Sequence, residues 1–423
     1  MRSVRGTKDL YDQDLDCFRY ICNQAQELAK LYGFKEIQTP IMEYTDVFLK
    51  PLGEDSDIVG KEMYTFPDRG GESITLRPEG TAPVMRSLLT SGLIHQLPQK
   101  RFTYGPFFRY ERPQKGRQRQ FHQISVEYVG EKSYQADVEL LSFAYDLLKK
   151  INVHDFTLHL NTLGDSESRK KFREHLVDYL TQFKNDLSED SQRRLAKNPL
   201  RILDSKNEND QKICSSAPQL KDFLTEESKI FFENICRSLT QLNIPFVENP
   251  SLVRGLDYYC HTVFEFKSTA LGAQDTLLGG GRYDGLIKLM GGADIPSVGF
   301  GCGLERLMLA CQAPQESLSE IKIILCPESE DQKMMCLKIA QTIRTSGIAC
   351  EIIHTGPLPK RIQLAENMQA HFFCFVGSAE QDTQEFMFKV LKPVMHLYDL
   401  SLFSQKLSIE SFLKYARSQK VDV

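Results

Sequence analysis

The run Phe107-Phe108-Arg109-Tyr110-Glu111-Arg112-Pro113-Gln114-Lys115-Gly116-Arg117-Gln118-Arg119-Gln120-Phe121-His122-Gln123 limits the fold more than any other part of the chain. Pro113 and Gly116 break any helix, while the flanks alternate at period two, so the segment predicts a long β-hairpin. The alternation places Arg109 and Glu111 on one face of the incoming strand. It places Phe121, Gln123, Ser125 and Glu127 on one face of the outgoing strand. Between Arg109 and Arg119 there are five basic residues and one acid, net +4 in eleven positions. A solvated hairpin tip is one account of that charge. The other follows from Phe107 and Phe108: an arginine held beside a buried strand is a rigid bidentate anion clamp, with the tip arginines free to meet a polyanion.

Three further constellations carry chemistry. Leu76-Arg77-Pro78-Glu79-Gly80-Thr81-Ala82-Pro83 reads as a strand running through a loop into a helix. Glu79 and Thr81 suit an ammonium group, and a capped helix start with Pro83 in its first turn fits the same residues. Arg254-Gly255-Leu256-Asp257-Tyr258-Tyr259 precedes the strand-like Thr262-Val263-Phe264-Glu265-Phe266 and then Gly279-Gly280-Gly281-Arg282-Tyr283-Asp284. Three successive glycines either let a backbone approach a ligand or make a loose turn. Gly299-Phe300-Gly301-Cys302-Gly303-Leu304-Glu305-Arg306 predicts a strand with alternating glycines, then a helix with Arg306 in its first turn. The glycines clear one strand face for a flat ligand, and Arg306 reaches across it. No Gly-x-x-x-x-Gly-Lys-Ser/Thr loop occurs, so a nucleotide must be held by another device.

Leu15, Phe18, Cys22, Ala25, Leu28, Ala29 and Tyr32 predict an amphipathic helix stopped by Gly33, and Pro40 predicts an edge or interface strand after it. Residues 163–247 are polar, poor in Gly and helical in pattern, with Leu176, Leu180 and Phe183, then Phe231, Ile235, Leu239 and Leu242, at helical spacing. They read as an insertion between two core segments, 1–162 and 248–319. Residues 320–423 alternate strand and helix. Strands are expected at 321–326, 348–353, 371–377, 385–391 and 393–399, with helices up to Thr345 and near 359–370 and 407–418. Such alternation predicts a small α/β domain on a partly parallel sheet.

With 52 Lys and Arg against 56 Asp and Glu, the formal charge of −4 argues against a basic nucleic-acid binder. Its distribution argues the other way, since a +4 tip sits on an otherwise acidic core. No apolar run approaches the ~20 residues needed to span a bilayer, and the first nine residues lack a secretory h-region. Eleven Cys with no C-x-x-C pair, and His away from zinc-ligand spacing, predict free thiols in a reducing, cytoplasmic compartment.

Taken in order, these segments resemble a class II aminoacyl-tRNA synthetase. Gly33-Phe34, Ile37 and Pro40-Ile41-Met42 resemble the first class motif, the dimer-interface one. Phe108-Arg109-Tyr110-Glu111 through Phe121 resembles the second, and Gly299 through Arg306 the third. Leu76 to Thr81, Glu111-Arg112-Pro113-Gln114 and Arg254 to Tyr259 closely resemble the histidyl-tRNA synthetase family of subclass IIa. Cys260-His261 departs from it, because the family usually has Asn after the Tyr pair; a change in local hydrogen bonding, not in activity, is expected. The resemblance implies an α+β fold. Its core would be the class II antiparallel sheet flanked by helices, with a helical insertion and a C-terminal α/β anticodon-binding domain.

The resemblance also implies roles. Arg254 and Arg109 are the expected catalytic residues, and Arg109, Glu111 and Arg306 the ATP-binding ones. Glu79, Thr81, Gln123, Glu127, Tyr258, Tyr259 and Tyr283 would bind histidine, and Arg112, Arg117 and Arg119 the acceptor end of tRNA(His). ATP with Mg²⁺ is the expected cofactor, with no dedicated protein ligands for the metal, and a homodimer through the first motif is the expected assembly. Two alternatives accompany this reading. A non-catalytic regulatory paralogue of histidine biosynthesis shares the core, but such proteins lack the C-terminal domain and the Arg254–Tyr259 segment found here. The other is a subclass IIa synthetase for a different amino acid.

Overall fold

A computed structural model of the chain describes all residues except 54–55, 57, 198, 204, 206, 254–257, 273–274, 313–320, 392–405 and 419–423. They form two compact units, Met1–Ala313 and Pro314–Val423.

The first unit opens with α1 (Asp12–Leu31), which buries Ile21, Cys22, Ala25, Leu28 and Ala29 at helical spacing. Gly33 follows with φ +76°, the left-handed conformation that ends helices cheaply. Pro40 lies between two short strands, β1 (Lys35–Glu36) and β2 (Met42–Tyr44), rather than inside one. After α2 (Asp46–Leu52) come β3 (Tyr64–Pro67) and β4 (Ser73–Leu76), and β2-β4-β3 make a small antiparallel sheet. Then follow α3 (Thr81–Thr90), the long strands β5 (Gln99–Phe108) and β6 (Gln120–Val129), α4 (Tyr134–Lys150) and β7 (Thr157–Thr162). Next come α5 (Ser166–Gln182), α6 (Glu189–Lys197), α7 (Glu208–Cys214), α8 (Glu226–Gln241) and β8 (Phe246–Glu248). The unit closes with β9 (Cys260–Lys267), β10 (Thr276–Arg282), α9 (Leu286–Leu289), β11 (Ser297–Gly303) and α10 (Leu304–Ala310).

Among the described residues the large sheet runs β1-β5-β6-β11-β10-β9-β7-β8. Its interior pairings are antiparallel, and only the outermost pairs, β1 with β5 and β7 with β8, are parallel. This is the antiparallel sheet flanked by helices that the motifs imply. The predicted hairpin is β5 and β6, paired from Gln99↔Val129 to Phe108↔Gln120. One sheet face carries Phe102, Ile124, Val126, Phe264, Phe266 and Phe300 into a core with Leu140, Phe143 and Leu147 of α4. Each such side chain, fully buried, contributes about 1.5–3 kcal/mol.

Within 163–247 two packing environments occur. Phe172, Leu176, Leu180, Leu187, Leu195, Ile202 and Leu220 share a core of their own. Ile235 and Leu239 of α8 instead join the main sheet core, while Leu242 is exposed.

The second unit contains β12 (Lys322–Pro327), α11 (Lys333–Thr345), β13 (Ala349–Ile352) and α12 (Leu358–Asn367). It continues with β14 (Phe372–Val376), α13 (Ser378–Thr383), β15 (Phe388–Val390) and α14 (Ile409–Ser418). The sheet order is β13-β12-β14-β15, parallel except for the last pair. Helices cover both faces, with Ile323, Leu325 and Phe372 packed on one side and Ile324, Cys326 and Phe373 on the other. The strand expected at 393–399 lies outside the described residues.

Candidate active site

The site grows from the sheet face opposite that main core. Ile124 and Val126 of β6 enter the core, so period two turns Gln123, Ser125 and Glu127 the other way. Gly299 and Gly301 of β11 stand opposite Glu127 and Ser125. A Cβ on Gly299 would overlap Oε2 of Glu127 and lie 2.6 Å from the Tyr283 hydroxyl; one on Gly301 would lie 2.5 Å from Nε2 of Gln123. The alternating glycines thus make room for the protein's own polar side chains. Gly280 and Gly281 belong to β10, not to a loose turn, and a Cβ on Gly281 would stand 2.9 Å from the Tyr259 ring.

Glu127 is fully buried at the floor of the site. The Thr81 hydroxyl donates to its Oε1 at 2.7 Å and the Tyr283 hydroxyl donates to its Oε2. Burial pushes its carboxyl up to about 8, against the two hydroxyl donors that favour the ionised form. Glu79, also buried, accepts the backbone N–H groups of Thr81 at 2.8 Å and Ala82 at 2.7 Å. It therefore caps the start of α3 and borders the cleft at once. Burial raises its pKa as well, while those N–H groups and Arg109 oppose the rise. The rings of Tyr258 and Tyr259 are 4.7 Å apart, and Tyr283 lies 5.5 Å from the first.

Above this floor opens a cleft of about 280 Å³ lined by Glu79, Thr81, Arg109, Glu111, Arg117, Gln123, Tyr258, Tyr259, Glu265, Glu305 and Arg306, among others. Arg109 is anchored by Nε donating to the Pro78 carbonyl at 2.8 Å, beside Glu111 at 3.9 Å. Arg306 donates to the Thr276 carbonyl at 2.7 Å. Its pKa is lowered by burial first, then by Arg117, with Arg109 adding to the effect. Glu111 and Glu265 in the same cleft oppose that lowering, so the guanidinium groups are partly balanced by the carboxylates around them. The tip of the loop folds back onto α10, where a Cβ on Gly116 would lie 3.1 Å from Cγ of Arg306.

The remaining predicted residues divide by position. Arg117 pairs with Glu111 at 3.0 Å and lines the cleft instead of standing free. Arg119 is turned to the base of the loop, stacked 3.9 Å over Tyr110 and donating to the Glu111 carbonyl. Arg112 is exposed. Arg254 lies outside the described residues. Cys260, the departure from the resemblance, is a buried thiol whose sulfur accepts the Asp284 N–H at 3.4 Å.

Two cleft carboxylates were not among the expected site residues. Glu305 accepts the backbone N–H of His122 at 2.9 Å and lies 2.9 Å from its Nδ1, tying α10 to β6. Its place beside Arg306 was the available signal. Glu265, which accepts the Thr276 hydroxyl at 3.1 Å, shows only as a polar position in an apolar strand. Among the described residues no group of three or more His, Cys, Asp or Glu side chains could hold a metal ion. The cleft carboxylates already have protein partners: Glu111 pairs with Arg117 at 3.0 Å, and Glu265 lies 3.6 Å from Lys267.

A family model described as histidyl-tRNA synthetase matches residues 6–307. The chain is 48% identical over 394 residues to the histidine–tRNA ligase of Rickettsia canadensis, covering 93% of this chain and 94% of that protein. It is 49% identical over 380 residues to the histidine–tRNA ligase of the Wolbachia of Brugia malayi, covering 90% and 91%. The apo crystal structure of Staphylococcus aureus histidyl-tRNA synthetase superposes with a TM-score of 0.81 at 31% identity, covering 98% of this chain and 99% of that one.

Proposed function

Because the chain belongs to the histidyl-tRNA synthetase family, we propose that its arginine-lined cleft is where L-histidine meets ATP. Its activity is that of a histidine–tRNA ligase: histidine and ATP give histidyl-adenylate and pyrophosphate, and transfer to tRNA then releases AMP. The observation that carries the site assignment is convergence. Arg109 and Arg306 from the second and third motifs share one cavity with Glu79, Thr81 and the Tyr pair.

The attacking histidine carboxylate is already an anion, so no general base is needed. Catalysis is positioning and charge neutralisation. Arg109, fixed by Pro78, grips the α-phosphate, and Arg306, fixed by Thr276, takes the outer phosphates. By the family resemblance Arg254 lies beside the reacting carboxylate and α-phosphate. Glu111 orients Arg117 and Arg109. A hard cation such as Mg²⁺, entering on the phosphates of ATP, would offset their charge without a dedicated set of protein ligands among the described residues.

Glu79, Thr81 and Gln123 receive the α-ammonium group. A carboxylate has about four lone-pair sites; the Glu79 oxygens each spend one on a backbone N–H and retain others. Glu127 likewise accepts two hydroxyls and retains room for a ring N–H, with Tyr258, Tyr259 and Tyr283 enclosing the imidazole. A buried polar site of this kind can reject analogues by about 10⁴-fold without editing.

Arg112, Arg117 and Arg119 receive the acceptor end, Arg117 from within the cleft and therefore in both steps. The 320–423 segment binds the anticodon. Dimerisation uses the small sheet, whose register aligns Met42, Leu76 and Tyr64, then Tyr44, Ile74 and Phe66, on one face. Met42 and Tyr44 are 58% and 60% exposed, an apolar face that a second copy would cover. No helix among the described residues is long and apolar enough to cross a membrane. The cytoplasmic assignment rests on the cysteine pattern, eleven Cys with no C-x-x-C pair. Histidine-dependent ATP–pyrophosphate exchange, followed by charging of tRNA(His), tests the assignment. Absence of exchange, or exchange driven by another amino acid, overturns it.

A further inference from the structure

Tyr259 is gripped from the insertion. Arg169, in the first turn of α5, donates through Nη1 to the Tyr259 carbonyl at 2.8 Å. Its Nε is buried and has no hydrogen-bond partner among the described residues, so this guanidinium is committed to its site and not a solvated surface charge. Next to it, Leu163 N–H donates to the His261 carbonyl at 2.6 Å and His261 N–H to the Gly164 carbonyl at 2.9 Å. The strand that continues from Tyr259 is therefore bonded to the root of the insertion.

That root is itself one unit. Asp165 accepts the Ser168 N–H at 2.7 Å and the Thr225 hydroxyl at 2.5 Å, and donates its own N–H to the Ser228 hydroxyl at 3.1 Å. Thr225 N–H donates to the Ser168 hydroxyl at 2.9 Å. The two crossings into the insertion are locked together, and Gly164, at φ +63°, sits where a Cβ would lie 2.6 Å from Ser168 and 2.8 Å from Leu224. The Tyr259 ring itself is confined by Tyr258, 4.7 Å away, and by Gly281, where a Cβ would lie 2.9 Å from it. Its backbone carbonyl thus fixes how the ring projects into the cleft.

We propose that Arg169 is a positioning residue for histidine recognition: it holds the Tyr259 carbonyl so that the insertion's root sets the shape of the imidazole pocket. The inference rests on the reading of this cleft as the histidine site. Loss of the charge-assisted bond shifts the binding of histidine more than that of ATP, whose phosphates meet Arg109 and Arg306, anchored on Pro78 and Thr276.

Arg169→Met keeps the aliphatic stem and removes the donors. In pyrophosphate exchange it should raise KM for histidine about 10-fold, leave kcat and KM for ATP essentially unchanged, and lower selectivity for histidine over thiazolylalanine. Arg169→Lys, which keeps one donor, should restore part of that KM. Lys171→Met, at an exposed pair with Glu167 on the same helix, should change none of these. An unchanged KM for histidine overturns the proposal, as does a parallel decline of all constants and of Tm that Lys does not rescue. If Arg169→Met fails to fold, Arg169→Lys carries the test: a selective rise in KM for histidine supports the proposal and no rise refutes it. Wild-type protein without histidine-dependent exchange would instead sink the functional reading itself.

Discussion

Gly299 and Glu127 divide one space between two neighbouring strands: a Cβ on the glycine would overlap the carboxylate that the Thr81 and Tyr283 hydroxyls hold in place. Gly299→Ala should therefore displace Glu127 and Tyr283 from the floor of the site. Overpacking of this kind costs about 1–3 kcal/mol, so the protein should still fold. Histidine-dependent exchange should fall by about 100-fold, a transition-state loss near 2.7 kcal/mol. Thermal melts alongside exchange rates measure both.

Glu127 should make histidine binding pH-dependent. Its carboxyl is pushed up to about 8 by burial, so below that pH the free enzyme holds it protonated and short of an acceptor. As pH rises through the folded pKa the acceptor form grows. KM for histidine should fall several-fold between about pH 6.5 and 8 and then level off. Glu127→Gln does not titrate, and its KM should be higher and flat over the same window. A wild-type profile equally flat would refute the assignment.

Arg306→Gln should weaken ATP selectively. A hydrogen bond to a charged group is worth about 1.5–3 kcal/mol, so KM for ATP should rise by roughly 10–100-fold, with KM for histidine little changed. Initial rates with each substrate varied in turn separate the two.

The two loop arginines should behave differently. Arg112 is exposed, so Arg112→Ala should slow transfer to tRNA while sparing exchange. Arg117 lines the cleft and pairs with Glu111, so Arg117→Ala should lower both rates. Single-turnover transfer from preformed adenylate, set against exchange, makes the comparison; equal effects of the two variants would contradict it.

Tyr44→Asp should disrupt assembly. It puts a charge on the exposed apolar face of the small sheet while the underside, where Thr45, Thr65 and Thr75 hydrogen-bond and Arg86 pairs with Glu43, stays intact. Sedimentation should show a shift from dimer to monomer with the fold retained.

Much of this was legible along the chain. The alternation around Pro113 and Gly116 foretold β5 and β6, and the strand–helix rhythm after residue 320 foretold a partly parallel sheet. Arg109, Arg306, Glu79 and Thr81 could be nominated from residue type and from their places beside turns and glycines, whereas Gln123 and the Tyr pair were nominated by the family resemblance; all of them line the same cleft. Pro40 and the 279–281 glycines were harder. A proline or a glycine run reports a backbone constraint, not the neighbour that exploits it.

What the sequence determined by itself was the β5–β6 hairpin, the strand–helix alternation after residue 320 and the order of the motifs, written in periodicity and residue type over short spans. The antiparallel core sheet and most site roles were what the family resemblance implied. What only the tertiary structure decided was who meets whom: Glu127 with Gly299, Arg117 with Glu111 rather than with solvent, Glu305 with His122, and Arg169 with Tyr259. These contacts depend on strand register and on how a loop or an insertion folds back. Register is set by the packing of a whole sheet face at once, and no short stretch of sequence carries that information.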